Sequence, residues 1–279
     1  MSADRAEQLP VSALCSGPTN SMRGAAFLTD LTDAVVVDIG GTTTDVGALR
    51  RGSPREASMT LRVAGVRCNF RMPDVLSIGL GGGSLVLDAP LQVGPQSVGH
   101  ELARRALVFG GDTLTATDIA VAAGCAAIGD RARVAHLPRA LVARAAERIH
   151  EMIEAAIDRV KPAAGDIPVV LVGGGALLIC RPLQGASEIM RPRYAEVANA
   201  VGAAIAQVSG EVDRIVDLER GSREEALAEA QAEAIARASA SGADPATVRL
   251  VDIDEVPLAY LPSSATRIRV KASGDLRDG

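Results

Sequence analysis

The chain has 279 residues, enough for one large α/β domain or two modest ones, each able to bury a core. Its hydrophobic fraction of 48% is mainly Ala, Val, Leu and Ile, aromatics supply only 2%, and the net charge is -5 with Lys161 and Lys271 as the only lysines, so there is no basic stripe for nucleic acid and little ring surface on which bases could stack. No apolar run reaches the ~20 residues of a membrane span, and the start, with Asp4, Arg5 and Glu7, lacks the basic-then-apolar order of an exported chain; a cytoplasmic protein with neither a nucleic-acid nor a membrane partner is expected.

In chain order, residues 1–20 read as irregular, with Ser16-Gly17-Pro18-Thr19-Asn20 a turn leading into a short helix over residues 21–28. Strands are predicted over 34–38, 43–49 and 57–63, forming a three-stranded antiparallel meander with Gly40 to Thr43 at its first turn and the Asp38 side chain at the mouth of a groove. Residues 77–87 carry Gly81-Gly82-Gly83 between apolar flanks, and 97–124 hold helical segments interrupted by Gly110-Gly111-Asp112. From 141 to 160, Val142, Ala145, Ile149, Met152, Ile153, Ala156, Ile157 and Val160 keep helical spacing until Pro162 and Gly165.

A buried strand follows at 167–172, ending in Gly173-Gly174-Gly175, with a small-residue helix over about 194–207, the pattern of a parallel βα unit. Ser222 followed by Glu225 is a capping-box signature for an Ala-rich helix to about 241, and 247–260 and 266–272 read as strands. This divides the chain into an N-terminal turn and helix segment (1–33), a main lobe (34–210) and a C-terminal helix and strand extension (211–279). Cys15, Cys68, Cys125 and Cys180 are far apart and form no CxxC, which suits reduced, buried thiols; His100, His136 and His150 are equally scattered and match no histidine metal site.

The segment from Val35 to Gly47 carries the chemistry. A buried strand delivers Asp38 to its end, and Gly40 and Gly41 let the backbone turn sharply without a Cβ in the way. Thr42, Thr43 and the following amides can then donate to phosphate oxygens, with Asp45 close behind. Carboxylates face an anion only through a cation, and Mg²⁺ favours one or two carboxylates plus phosphate oxygens, so Asp38 is the candidate metal ligand and Asp38 and Asp45 the candidate catalytic acids. Gly173, Gly174 and Gly175, after the strand Val169-Val170-Leu171-Val172, offer bare backbone for the rest of a nucleotide, or else only a tight βα turn. Gly81, Gly82 and Gly83 read either as a phosphate- or substrate-side loop or as a packing corner; Asp112, with Asp118, reads either as a further acid or as a helix N-cap. GxxxxGK[ST], strand-linked GxGxxG and GxSxG are all absent, which removes P-loop, Rossmann and serine-hydrolase readings.

The DIGGTTTDVG stretch (38–47) and the VLVGGGALL stretch (170–178) resemble the phosphate and adenosine motifs of the actin/Hsp70/sugar-kinase ATPases. Together with SGPTNS (16–21), NFRMPD (69–74), SIGLGGGS (77–84) and FGGD (109–112), they resemble the A subunit of the hydantoinase/oxoprolinase family. The resemblance implies an α/β, actin-like (ribonuclease H-like) lobe with a mixed sheet flanked by helices, plus the C-terminal appendage. It implies ATP and Mg as cofactors, with ATP phosphorylating an amide carbonyl oxygen before ring opening of a small cyclic amide. Family members also carry a preceding lobe with its own phosphate loop. A lobe-bearing chain or a hydantoinase B-type subunit is therefore the implied partner, and the alternative is a non-catalytic nucleotide-binding subunit comparable to a carboxylase β subunit.

Overall fold

The computed structural model describes residue 7 and residues 16–57, 61–63, 66–68, 73–217, 222–258 and 265–277. The chain divides into two compact units, one spanning Cys15–Ala204 and the other containing Ile205–Gly279.

The larger unit is built on a mixed sheet. Its strands run in the order β10 (Ala186–Met190), β9 (Ile167–Val172), β1 (Ala34–Ile39), β2 (Thr44–Arg50), with β3 (Ser53–Pro54) and β6 (Val75–Ile78) both pairing along β2. β10, β9 and β1 are parallel, and β1 turns directly into antiparallel β2. β1 and β9 are almost wholly buried, as the near-continuous Val, Ile and Leu of their sequences require when both faces are covered. One face is covered by helix α1 (Ser16–Thr29): Met22 and Ala25 pack on Val36, Leu49, Val170 and Val172. The other is covered by α2 (Ala116–Ala122) and the long α3 (Arg139–Val160), whose Ile149, Ile153 and Ile157 meet Val35, Val37, Val169 and Leu171. The helical spacing read along 141–160 is the inward face of α3, with Met152 only partly buried and Leu141 and His150 added to the buried set.

Three sequence expectations shift here. The stretch 16–20 is the first turn of α1 and not a lead-in; Pro18 is tolerated because N–H groups in a first helical turn have no intrahelical partner. The third strand of the meander is not 57–63. Residues 58–60 lie outside the described residues, Leu61–Val63 is β4 and pairs with β5 (Val66–Cys68), and the place beside β2 is taken by β3 and β6. The helix expected to 207 is only α4 (Ala198–Ala204) after a 3-10 turn at Ala195–Val197. Gln207 instead opens β11 (Gln207–Asp217), where Val208, Gly210 and Val212 alternate inward. A further hairpin, β7 (Ser84–Asp88) and β8 (Leu91–Ser97), follows β6.

In the smaller unit β11, β13 (Ala265–Asp275) and β12 (Arg249–Pro257) form an antiparallel sheet, with β13 in the middle. The helix α5 (Arg223–Ala240), capped by Ser222 accepting from the Glu225 N–H, lays Ala230, Ala234 and Ala238 on Val212, Ile268 and Val270. Residues 259–260 of the strand expected over 247–260 lie outside the described residues.

Candidate nucleotide site

Asp38 lies at the carboxyl end of β1, the end where ligands of open parallel sheets bind. Directly across the ladders its partners are Val172 on β9 and Asp45 on β2, and Asp45 is in turn opposite Ser77 on β6. Partners directly opposite share a face, so Asp38, Asp45 and Ser77 form one polar row on the side covered by α1. The Ser77 hydroxyl donates to Asp45, and the Ser21 hydroxyl, from α1, bonds to Asp38. Burial pushes the Asp38 carboxyl above its ordinary range, the Ser21 bond opposes the shift, and the negative charge of Asp45 adds to it. A site that already strains to hold two negative charges gains from a cation.

Past Asp38 the turn is closed by the Gly40 N–H donating to the Thr43 carbonyl (2.9 Å). Gly41, Thr42 and Thr43 are exposed, whereas Thr44 is buried and donates to the Leu80 carbonyl at 2.6 Å. That bond seats the second glycine run. The Gly82 and Gly83 N–H groups donate to the carbonyls of Gly40 (3.0 Å) and Gly41 (2.7 Å). A Cβ on Gly81 would come within 2.6 Å of the Gly41 carbonyl carbon and the Thr42 nitrogen, so only glycine permits this approach. The Gly81-Gly82-Gly83 segment is thus a shelf behind the turn. Its N–H groups are used by protein carbonyls at Gly82 and Gly83, and Gly81 N–H bonds the Ser84 hydroxyl (2.9 Å). These bonds pack the segment against the turn that follows Asp38.

The third run closes from the other side. Gly173, at φ 82°, would place a Cβ 2.3 Å from Asp38 Oδ1, and one on Gly175 would be 2.8 Å from the Gly40 carbonyl oxygen. Gly41 and Gly174, by contrast, have open space where a Cβ would go. The two glycine runs so far apart in sequence therefore flank the Asp38 carboxyl on one rim, with their free sides at Gly41 and Gly174.

Residues without a sequence signal also build the site. Ser97, at the end of β8, donates to the Gly41 carbonyl (3.4 Å) and accepts from the Gly99 N–H (3.0 Å), while Thr117, on α2, donates through Oγ1 to the Gly82 carbonyl (2.9 Å). Asp112 is not the helix N-cap: it is exposed and accepts from the Thr113 hydroxyl (2.9 Å), and the helix is capped by Thr115 in a capping box with Asp118. Asp118 is fully buried and accepts from the N–H groups of Val108 and Thr115, which occupies it structurally. The expectation of four reduced thiols is also overturned: Cys125 and Cys180 are joined in a disulfide. Cys15 lies outside the described residues. Among the described residues no helix is long and apolar enough to cross a membrane.

These features define a mixed α/β sheet protein with an acidic, glycine-walled rim at the carboxyl ends of β1 and β9. The hydantoinase/oxoprolinase family model matches residues 1–160, and the chain belongs to that family. Among solved structures, the ATP-dependent caprolactamase from Pseudomonas jessenii matches with a TM-score of 0.65 at 18% identity, over 95% of this chain and 50% of its own. A nucleotide-free acetone carboxylase, from work on ATP-dependent acetone carboxylation, matches with a TM-score of 0.61 at 16% identity, over 93% of this chain and 49% of its own. The chain thus spans about half the length of these relatives. No curated protein matches.

Proposed function

We propose that this chain is the nucleotide-binding lobe of an ATP-dependent amidohydrolase of the hydantoinase/5-oxoprolinase type. The carrying observation is the convergence of Gly40-Gly41 and Gly173-Gly174-Gly175 on either side of Asp38, with their open sides at Gly41 and Gly174. In this reading Thr42, Thr43 and the Gly41 backbone meet the phosphates, and Gly174 backs the ribose side. Asp38, with Asp45 beside it, holds Mg²⁺. Among the described residues no group of three or more metal-capable side chains gathers, which suits an ion held by one or two carboxylates with the nucleotide supplying the other oxygens. Bound there, the ion would offset charge on the transferring phosphoryl group. Phosphorylating a cyclic amide oxygen turns a resistant amide into a better electrophile, and that is the use of ATP proposed for the whole enzyme. Both solved relatives are named for ATP-dependent reactions, and one acts on a lactam.

Their double length supports a second reading of this chain taken alone: it binds nucleotide but turns it over only with a further lobe or a B-type subunit. The test is Mg-dependent ATP hydrolysis and lactam opening by the chain with and without such a partner, in wild type and Asp38→Asn. We expect Asp38→Asn to lower turnover in the complete assembly by about 100-fold or more, the usual scale for losing a transition-state charge partner, with nucleotide binding largely retained. Wild-type turnover by the variant would remove Asp38 from the chemistry.

A further inference from the structure

The Cys125–Cys180 disulfide lies in the larger unit and joins two segments that each lead to the rim. Cys180 lies two residues past the end of the 3-10 turn Gly174–Leu178 that continues the third glycine run, after Ile179. Its own side of the link is anchored to α3: its N–H is accepted by Nε2 of His150 (3.4 Å), whose Nδ1 is bonded to the Ala146 carbonyl (2.7 Å). Arg181, the next residue, is bonded to Glu147 (2.7 Å) and Glu154 (2.6 Å), also on α3. Cys125 sits just past the end of α2, its N–H donating to the Ala120 carbonyl (2.8 Å). At the opposite end of α2, Thr117 holds Gly82 through both its N–H (3.0 Å) and its hydroxyl (2.9 Å), and Gly82 holds Gly40. The disulfide therefore completes a circuit: glycine run 173–175, Cys180, Cys125, α2, Thr117, shelf 81–83, phosphate turn 40–42. Both cysteines also line a cleft of about 790 Å³, together with Leu177, Arg181, Glu188 and Arg191.

We propose that Cys125–Cys180 is a reversible redox clasp that fixes the spacing of the two glycine walls of the nucleotide site, so that the oxidised chain binds nucleotide more tightly than the reduced chain. The proposal rests on the nucleotide reading given above. Cys180 is the exposed partner and Cys125 the half-buried one. An incoming thiolate from a small dithiol reductant attacks the Cys180 sulfur, the S–S bond breaks and Cys125 leaves as a thiolate. The second thiol of the reductant then displaces Cys180, giving two protein thiols and one oxidised reductant for two electrons and two protons. Reduction leaves the non-covalent anchors of Cys180 on α3 in place, along with the packing of Ile119 and Ala120 in one cluster with Leu178, but removes the cross-link between α2 and the third glycine run, so the two walls are held by packing alone. A ligand that needs both walls then has to order them itself, which weakens binding without any lost contact.

The experiment measures affinity for a non-hydrolysable ATP analogue with Mg²⁺ on the full chain after treatment with oxidised glutathione or reduced dithiothreitol, alongside C125S/C180S, with backbone hydrogen exchange followed in parallel. We expect at least about fivefold tighter binding by the oxidised wild type, the low end of coupling between linked sites, and redox-independent, weaker binding by the double variant. Exchange should speed on reduction in the shelf and in Gly174–Leu178. Measurable but equal affinity in both redox states overturns the clasp and leaves the nucleotide reading standing. No analogue binding in either state overturns the nucleotide reading, and the clasp as its regulator with it. Failure of oxidised glutathione to form the bond overturns the clasp outright.

Discussion

In the mixed sheet, Asp38 and Asp45 stand opposite each other on adjacent strands, and neither meets a basic side chain among the described residues. In the three-stranded sheet, Asp213 and Glu211 on β11 meet Arg267 (2.6 Å) and Arg269 (2.9 Å) on β13, and Glu255 on β12 meets Arg223 of α5 (2.7 Å). The two sheets contain the same residue types, but one disperses its charge into cross-strand pairs and the other concentrates it at a strand end. Their glycines divide in the same way. Gly210 lets α5 lie on β11, since a Cβ there would be 2.3 Å from the Ala234 oxygen; the glycines around Asp38 bring loop against loop and leave two positions open. Paired charge and glycine under a helix serve stability. Like charge beside bare backbone, held only by the Ser21 and Ser77 hydroxyls, costs stability, and that is the pattern that motivates the proposed nucleotide site.

The comparison breaks most visibly at the close approaches. Gly81→Ala should cost about 3 kcal/mol, at the upper end for overpacking, because the added carbon meets the backbone of the phosphate turn and no flexible side chain is there to yield. It should also abolish nucleotide binding. Gly210→Ala should destabilise the smaller unit on a similar scale with nucleotide affinity unchanged. Denaturant unfolding with nucleotide titration of both variants checks the pair. If Gly210→Ala weakened binding as much as Gly81→Ala, the division of labour between the sheets would be lost.

A smaller effect sharpens the assignment of the open rim. At Gly174 a methyl group meets nothing within 4 Å, so Gly174→Ala should leave the unfolding midpoint where it is. It should still weaken nucleotide binding by about tenfold, roughly the energy of one displaced close contact. Unchanged affinity in this variant would mean that the ligand does not lie against Gly174.

Much of the rim was legible because its signals are local. An acid, two glycines and three threonines in a row after a valine run specify strand, turn and strand within thirteen residues, and the 3.6-residue repeat of 141–160 specifies the face of α3. What escaped was long-range. The strand beside β2 is supplied by 75–78, more than twenty residues further on, and no local pattern distinguishes it from the equally strand-like 57–63. The Cys125–Cys180 pair is separated by 55 residues, and each cysteine looks like a small hydrophobe in its own neighbourhood. Ser97 and Thr117 each hold part of the site from an element whose own sequence is ordinary, and Ser21, though it closes the SGPTNS motif, carried no sign of its bond to Asp38. Their roles exist only once α1, β8 and α2 are packed around the turn.

The subtlest consequence of the contrast is in the stability of the ligand-free chain. Burial, then the Asp45 charge, hold the folded Asp38 carboxyl above its ordinary range in spite of the Ser21 bond, so the folded chain binds this proton more tightly than the unfolded chain does. Between the ordinary carboxylate range and the raised folded value, the folded state carries the extra proton. Stability from this group is therefore present at low pH and lost as pH rises through that window, and above it the ionised carboxylate is a net cost. Asn keeps the shape and can still accept from Ser21, but it never ionises. Asp38→Asn, the change expected to ruin turnover, should then raise the thermal midpoint of the ligand-free chain at neutral pH, and the gain should shrink as pH is lowered through the window. Thermal unfolding of both proteins across a pH series, without nucleotide or divalent cation, measures this directly. A variant less stable than wild type at neutral pH, or an advantage that does not change with pH, would show that Asp38 is held for the fold and not at its expense.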